Sequence, residues 1–146
     1  IIKGYDNNTF KPDENISRAE FVAMTVRFNS LFNDVKKGGY TVKYTDVANN
    51  YWAYSDIAYA KYAGWLNGYA DGTFKGDNAI TRAEVVTVVN RATNRKADED
   101  YITKNVSVLN KFTDIRNNSM WYYADIMESA NTHLANSHDN SETWIK

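Results

Sequence analysis

Cysteine is absent from this sequence of 146 residues. Its absence excludes disulfide bonds, thiolate metal sites and cysteine nucleophiles, and it leaves the cellular compartment open. Long hydrophobic runs are missing too, because no apolar stretch approaches the roughly 20 residues that a membrane-spanning helix needs. Residues 1–4 do not have the pattern of a signal peptide, and the start of the sequence is expected to lie within a longer chain.

An excess of one charge is also lacking, since 17 basic side chains nearly balance 18 acidic ones and give a net charge of -1. Without a field of one sign, neither a nucleic-acid partner nor an anionic membrane surface is expected. Aromatic residues, in contrast, are plentiful, with 11 Tyr and 4 Trp. Such side chains suit sugar-stacking faces as well as half-buried helix surfaces, and composition does not separate the two uses.

An internal repeat organises the sequence. Residues 4–28 and 68–92 align at an offset of 64 positions with twelve identities in 25 positions, which indicates a repeat architecture. Each copy begins with Gly-Tyr, continues through a turn to a Thr-Phe pair that is predicted to add a short strand, and ends in a helix. A second repeated helix is predicted after Trp52 and again after Trp121, and Gly64 is expected to end the first of these. The pattern predicts a mainly α fold of tandem helix-loop-helix repeats.

The repeat divides the chain into three predicted parts. Residues 1–43 hold the second half of a repeat plus a connector, residues 44–111 hold a complete repeat plus a connector, and residues 112–146 hold a divergent first half. Both connectors, 33–43 and 94–111, are predicted to be solvated links. The two partial repeats could complete each other, and self-association of two chains is one way to do so.

Two helix starts share a capping-box spacing, in which a hydroxyl residue is followed three positions later by a glutamate. The pairs are Ser17 with Glu20 and Thr81 with Glu84. Between them lie Arg18 and Arg82, although a cation in the first helical turn opposes the helix dipole at a cost of up to about 1 kcal/mol. Two interpretations stay open: each arginine pairs with a nearby carboxylate, or each joins free helix N–H groups in an anion site.

Other chemistries fit the sequence poorly. A calcium loop that starts at Asp71 would have Arg82 at its twelfth position, where a bidentate acid is required. A glycosidase needs two convergent carboxylates, and the only repeated glutamates already serve as helix caps. His133 and His138 stand five positions apart in a polar stretch, so they are interpreted as solvated surface residues. No catalytic residue, metal site or cofactor is therefore predicted.

The complete repeat resembles a surface-layer homology (SLH) repeat. The motifs that carry the resemblance are Tyr-Thr-Asp-Val at 44–47, Trp-Ala at 52–53, Gly-Tyr-Ala-Asp-Gly-Thr-Phe at 68–74 and Ile-Thr-Arg-Ala-Glu at 80–84. The resemblance implies a pseudo-threefold helical core. It also implies a non-catalytic module that anchors exported proteins on the Gram-positive cell surface by binding secondary cell-wall polysaccharide.

The resemblance further implies that grooves between adjacent repeats hold a terminal sugar, often a pyruvylated one, whose carboxylate meets the Thr-Arg-Ala-Glu region. The residues implied for one groove are Ser17, Arg18, Asp46 and Trp52, and those for another are Thr81, Arg82, Asp114 and Trp121. From the sequence alone, the two tryptophans fit a role as core anchors as well as a role in sugar contact. The alternative function is a protein-interaction or self-assembly module that keeps the scaffold while its sugar grooves have degenerated.

Overall fold

The computed structural model describes residues 1–2, 4–35, 38–115, 118–138 and 141–145, and it leaves the side chains of 137, 138 and 141 undescribed. Across these residues the fold is mainly helical, as predicted, with one two-stranded antiparallel sheet. The elements are α1 (Arg18–Asn29), α2 (Tyr54–Tyr62), α3 (Arg82–Ala92), α4 (Glu99–Asn105), α5 (Tyr123–Ala130), β1 (Leu134–His138) and β2 (Ser141–Ile145). Among the residues described, no helix has the length and apolar character needed to cross a membrane.

The chain forms two compact units, Ile1–Thr81 and Arg82–Lys146. The first contains α1 and α2, which pack against each other, and the second contains α3, α4, α5 and the hairpin. Each unit thus pairs the last helix of one sequence repeat with the first helix of the next. The predicted repeat boundaries at 43/44 and 111/112 describe the sequence and stay predictions, as does the pseudo-threefold core.

The Gly-Tyr turn, residues 4–11 and 68–75, has the same structure in both copies of the first unit. In the second copy, the Tyr69 N–H donates to the Thr73 carbonyl at 2.8 Å, and the Asp71 carboxylate accepts from the backbone and hydroxyl of Thr73. The first copy repeats these bonds between the residues 64 positions earlier, with an asparagine in place of the aspartate. The predicted Thr-Phe strands are wrong, because these residues close a turn in both copies.

The core of the first unit is the contact between α1 and α2. Both helices use small and β-branched side chains, which allow close approach, and these are almost completely buried: Val22, Ala23 and Val26 on α1, and Ile57, Ala58 and Ala60 on α2. Gly64 lies just beyond the end of α2 with a φ of 75°, a left-handed conformation that favours glycine. Gly64 therefore occupies the position at which glycine commonly follows the end of a helix.

The second unit is built on the packing of α3 against α5 and contains a separate apolar cluster. Ile102 on α4, Met127 on α5 and Trp144 on β2 are each at most 4% exposed and contact one another. The predicted solvated connector at 94–111 is therefore wrong in part, since it contains α4, whose Ile102 reaches this core. The hairpin pairs Ala135 with Trp144, and this register places the indole on the buried face.

Candidate functional site

The start of α1 is held by the predicted capping box. The Ser17 hydroxyl accepts from the Glu20 N–H at 3.2 Å, and the Glu20 carboxylate accepts from the Ser17 N–H at 2.8 Å. The remaining N–H groups of this turn are also used, because Arg18 N donates to the Asn78 carbonyl and Ala19 N to the Gly76 carbonyl. An anion at this helix start would therefore meet side chains and not free backbone N–H groups. The equivalent box at the start of α3 stays a prediction.

Arg18 lies within the fold and is only 5% exposed. Its guanidinium donates to the Asn67 carbonyl at 2.7 Å and stands 4.9 Å from the centre of the Phe74 ring and 5.2 Å from that of Tyr69. Tyr69 and Phe74 belong to the Gly-Tyr turn at 68–75, and Asn67 directly precedes it. Arg18 thus connects α1 of one repeat with the Gly-Tyr turn of the next. Its position in the motif did not predict this structural role.

Asp46 is attached to the same turn. Its carboxylate accepts from the N–H groups of Phe74 at 2.8 Å and Lys75 at 2.7 Å. Burial raises the pKa of Asp46, but these hydrogen bonds outweigh burial and hold the pKa below its ordinary value. Arg18 and Asp46, both predicted as ligand-binding, are therefore brought together around Phe74, where each stabilises the turn.

The two hydrogen bonds that the Asp46 carboxylate accepts predict that acid destabilises the turn. Since the folded pKa of Asp46 lies below the ordinary 3.8, its hydrogen bonds stabilise the fold above that pH and are lost as the pH falls through the folded pKa. We expect the free energy of unfolding, measured in urea at a series of pH values, to fall below pH 4 less steeply for Asp46→Asn than for the wild type. Asp34→Asn, at an exposed position, should keep the wild-type slope, and an unchanged slope for Asp46→Asn would contradict the assignment.

Trp52 is 54% exposed, so the structure decides against its role as a core anchor. Its ring lies 5.9 Å from that of Tyr51, whose hydroxyl donates to Asp77 at 2.7 Å. Burial, followed by this hydrogen bond, raises the pKa of Tyr51. Gly76 packs closely against both Tyr51 and Ala19, because a Cβ added to it would lie 2.7 Å from the Tyr51 hydroxyl and 3.3 Å from the Ala19 Cβ. Tyr51, which sequence reasoning missed, thus lies beside the start of α1 and supports the exposed indole.

The second predicted set has a different environment. Arg82, the first residue of α3, is exposed, as is Asp114, and Trp121 is 61% exposed with its ring 5.1 Å from Tyr122. Among the described residues, no hydrogen bond or ion pair joins Arg82, Asp114 and Trp121 to one another. Arg82 differs from Arg18 because the third repeat has no Gly-Tyr-Ala-Asp-Gly-Thr-Phe turn to receive a guanidinium. The fourth predicted residue, Thr81, is the last residue of the first unit, whereas the other three belong to the second.

A buried polar cluster in the second unit was also missed. The side chain of Glu128 is fully buried and accepts from Arg95 at 2.5 Å and from the Trp144 indole N–H at 3.0 Å. His133, predicted to be a solvated residue, has a side chain that is only 6% exposed, lies 3.2 Å from Glu128 and stacks on Trp144. The prediction is wrong for His133, and the His138 side chain lies outside the description. The sequence did not predict this cluster because its members, from Arg95 to Trp144, lie far apart in the chain.

The cluster also has the composition of a metal site. Glu128, His133 and Glu142 place ligand atoms within 4.8 Å of one another. However, the Arg95 guanidinium lies 2.5 Å from the Glu128 carboxylate and 3.2 Å from Nε2 of His133. A cation of the protein itself therefore already compensates the buried carboxylate, and the arrangement is that of a structural ion pair.

Comparison with known proteins finds a matching family model and several similar proteins. The model of the S-layer homology domain matches residues 1–22 and 43–86. Among similar proteins, cell surface glycoprotein 1 of Acetivibrio thermocellus is 34% identical over 100% of this chain and 6% of its own length. The cellulosome-anchoring protein of the same organism is 32% identical over 97% of this chain and 30% of its own. The surface layer protein of Brevibacillus choshinensis is 35% identical over 63% and 8%, respectively. The chain thus spans less than a third of each relative.

Proposed function

Because residues 1–22 and 43–86 match the S-layer homology domain, we propose that the chain is a non-catalytic module of this family that anchors a larger protein to the cell wall. Three of its relatives are named as cell surface, surface-layer and anchoring proteins, and these names support a location at the cell surface. The partner that fits this role is cell-wall polysaccharide. We propose more specifically that it is a secondary cell-wall polysaccharide with a pyruvylated terminal sugar.

The exposure of both repeated tryptophans carries this proposal. Trp52 and Trp121 occupy equivalent positions before the first helix of a repeat, are 54% and 61% exposed, and each lies beside a tyrosine ring. A single exposed apolar residue is ordinary, but the same indole exposed twice, with an aromatic neighbour each time, is better explained by a ligand. Aromatic faces of this kind cover the apolar side of a sugar ring.

Arg82 is the better of the two arginines for the sugar carboxylate. A guanidinium can hold a carboxylate through two parallel hydrogen bonds, and the Arg82 side chain is exposed to solvent. Arg18, in contrast, is 5% exposed and already donates to the Asn67 carbonyl. We therefore assign ring stacking to Trp52 in the first unit, and separately to Trp121 in the second unit, where Arg82 makes the charge contact. The implied ligand contacts of Ser17, Arg18, Thr81, Asp46 and Asp114 stay predictions.

Calorimetry with purified wall polysaccharide and with a pyruvylated monosaccharide tests the proposal. Loss of one stacking face is worth about 1–2 kcal/mol, so we expect Trp52→Ala and Trp121→Ala each to weaken binding of the polysaccharide by about tenfold or more. Phe32→Ala is the matched control, since Phe32 is 72% exposed and lies outside the proposed site. Absence of heat with both probes would contradict sugar binding. Binding that survives the double tryptophan variant would contradict the site.

A further inference from the structure

The buried polar cluster of the second unit holds more carboxylates than the protein's own cation compensates. Glu128 and Glu142 both approach the imidazole of His133, and ligand atoms of these three side chains lie within 4.8 Å of one another. The Arg95 guanidinium forms an ion pair with Glu128. Within the part of the chain that the structure describes, Glu142 makes no ion pair and accepts one hydrogen bond, from Lys96 N at 3.4 Å. A single positive charge therefore serves a cluster with two carboxylates.

The hydrogen bonds of His133 determine which ring nitrogen carries the proton. Nδ1 lies 2.8 Å from the Asn131 carbonyl oxygen, which can only accept, so Nδ1 donates. Nε2 lies 3.2 Å from the Arg95 guanidinium, which can only donate, so Nε2 presents its lone pair. A metal-binding histidine almost always donates its other ring N–H in this way, for instance to a backbone carbonyl. The side chain is only 6% exposed, and its lone pair is directed into the cluster.

Glu128 is held similarly, with one oxygen fixed and the other directed at the histidine. Oε2 accepts from the Trp144 indole N–H at 3.0 Å, whereas Oε1 lies 3.2 Å from Nε2 of His133. Two ligand atoms of a tetrahedral zinc ion, each about 2.0–2.1 Å from the metal, are about 3.3 Å apart. The distance between Oε1 and Nε2 thus matches the distance between two zinc ligands.

Arg95 is the member of the cluster that can leave. Its Nη2 contacts both Oε1 of Glu128 and Nε2 of His133, so it marks the position of a cation between the two ligand atoms. Its side chain is nevertheless 46% exposed, whereas that of Glu128 is fully buried. Because the backbone is held separately, by a hydrogen bond from Arg95 N to the Asn90 carbonyl at 2.7 Å, the guanidinium can turn into solvent while the chain stays in place.

We propose that a zinc ion displaces the Arg95 guanidinium and binds Glu128, His133 and Glu142. Imidazole nitrogen together with carboxylate oxygen is a ligand set that suits Zn²⁺, and the charge of the ion balances both carboxylates. Glu142 is partly exposed, so its side chain can move inward from the present separation of at most 4.8 Å. The ion joins α5, which holds Glu128, to β2, which holds Glu142. Zinc binding therefore stabilises the second unit.

Calorimetric titration of the untagged, metal-free protein with Zn²⁺ tests the proposal. We expect one ion to bind per chain, and we expect no comparable binding of Ca²⁺, because calcium prefers about six to eight oxygen ligands. Glu142→Ala and His133→Gln each remove one ligand and should weaken zinc binding by about tenfold or more. Glu99→Ala is the matched control, since Glu99 is an exposed acid on α4 and should leave zinc affinity unchanged.

Arg95→Gln is expected to have the opposite effect. The change removes the competing cation, so zinc should bind about tenfold more tightly than to the wild type. Loss of zinc binding in this variant would overturn the displacement of Arg95, because a purely structural arginine has no reason to compete with the metal.

Thermal unfolding gives an independent measurement. The melting temperature of the wild type should rise with zinc concentration, and that of Glu142→Ala should not. A wild type that binds no zinc would overturn the proposal. Zinc that binds the wild type and Glu142→Ala equally would be adventitious, and it would overturn the proposal as well. Far-ultraviolet circular dichroism of each metal-free variant checks that the helices remain folded.

Discussion

Replacing Arg18 by alanine is expected to lower the free energy of unfolding by about 2–4 kcal/mol. The lost hydrogen bond to the Asn67 carbonyl involves a charged donor, which contributes about 1.5–3 kcal/mol when buried. The lost contacts with the rings of Phe74 and Tyr69 add about 0.5–2 kcal/mol. Urea denaturation followed by circular dichroism measures the change. The variant should also expose Phe74 to solvent.

Arg82→Ala is the matched control, because Arg82 holds the same motif position with an exposed side chain. We expect its unfolding free energy to stay within about 0.5 kcal/mol of the wild type, since a cation is also removed from a first helical turn. Its affinity for a pyruvylated sugar should nevertheless fall by about tenfold or more. Equal stability loss in the two variants would contradict the difference in burial. A stable Arg82→Ala protein with full sugar affinity would contradict the proposed charge contact.

Glu128→Ala is expected to destabilise the second unit by about 3 kcal/mol. The change leaves the buried Trp144 N–H without its acceptor and removes the carboxylate that pairs with Arg95. Breaking a fully buried ion pair costs about 3–5 kcal/mol, and the value here is lower because the Arg95 side chain is 46% exposed and can be hydrated. Thermal unfolding, with the indole of Trp144 as a fluorescent probe, measures the effect.

Glu142→Ala tests whether the loss arises from burial or from the removal of any acid in the cluster. Among the described residues, Glu142 accepts only from Lys96 N at 3.4 Å, and it is partly exposed, so its removal should cost less than about 1 kcal/mol. Glu128→Gln retains the size of the side chain and one acceptor oxygen, and it should fall between the two variants. A Glu142→Ala protein as unstable as Glu128→Ala would show that the acids act together, against the assignment of a buried pair.

Local patterns in the sequence predicted the local structure well. The spacing of Ser17 and Glu20 predicted a capping box, and Gly64 predicted the end of α2, because both features depend on residues within one helical turn of each other. The connector before residue 112 was predicted poorly, because the burial of Ile102 depends on its packing against Met127 and Trp144. His133 was assigned to solvent for the same reason.

The sequence by itself determined the repeat, the helical class, the resemblance to a family and the positions of the two arginines, because these follow from residue identity at fixed spacing. Only the tertiary structure decided that Arg18 is buried while Arg82 is exposed, that Asp46 binds a turn, and that both tryptophans face solvent. The same motif takes different environments because a side chain's burial depends on what packs against it. The second repeat supplies a turn to cover Arg18, whereas the divergent third repeat has no such turn for Arg82.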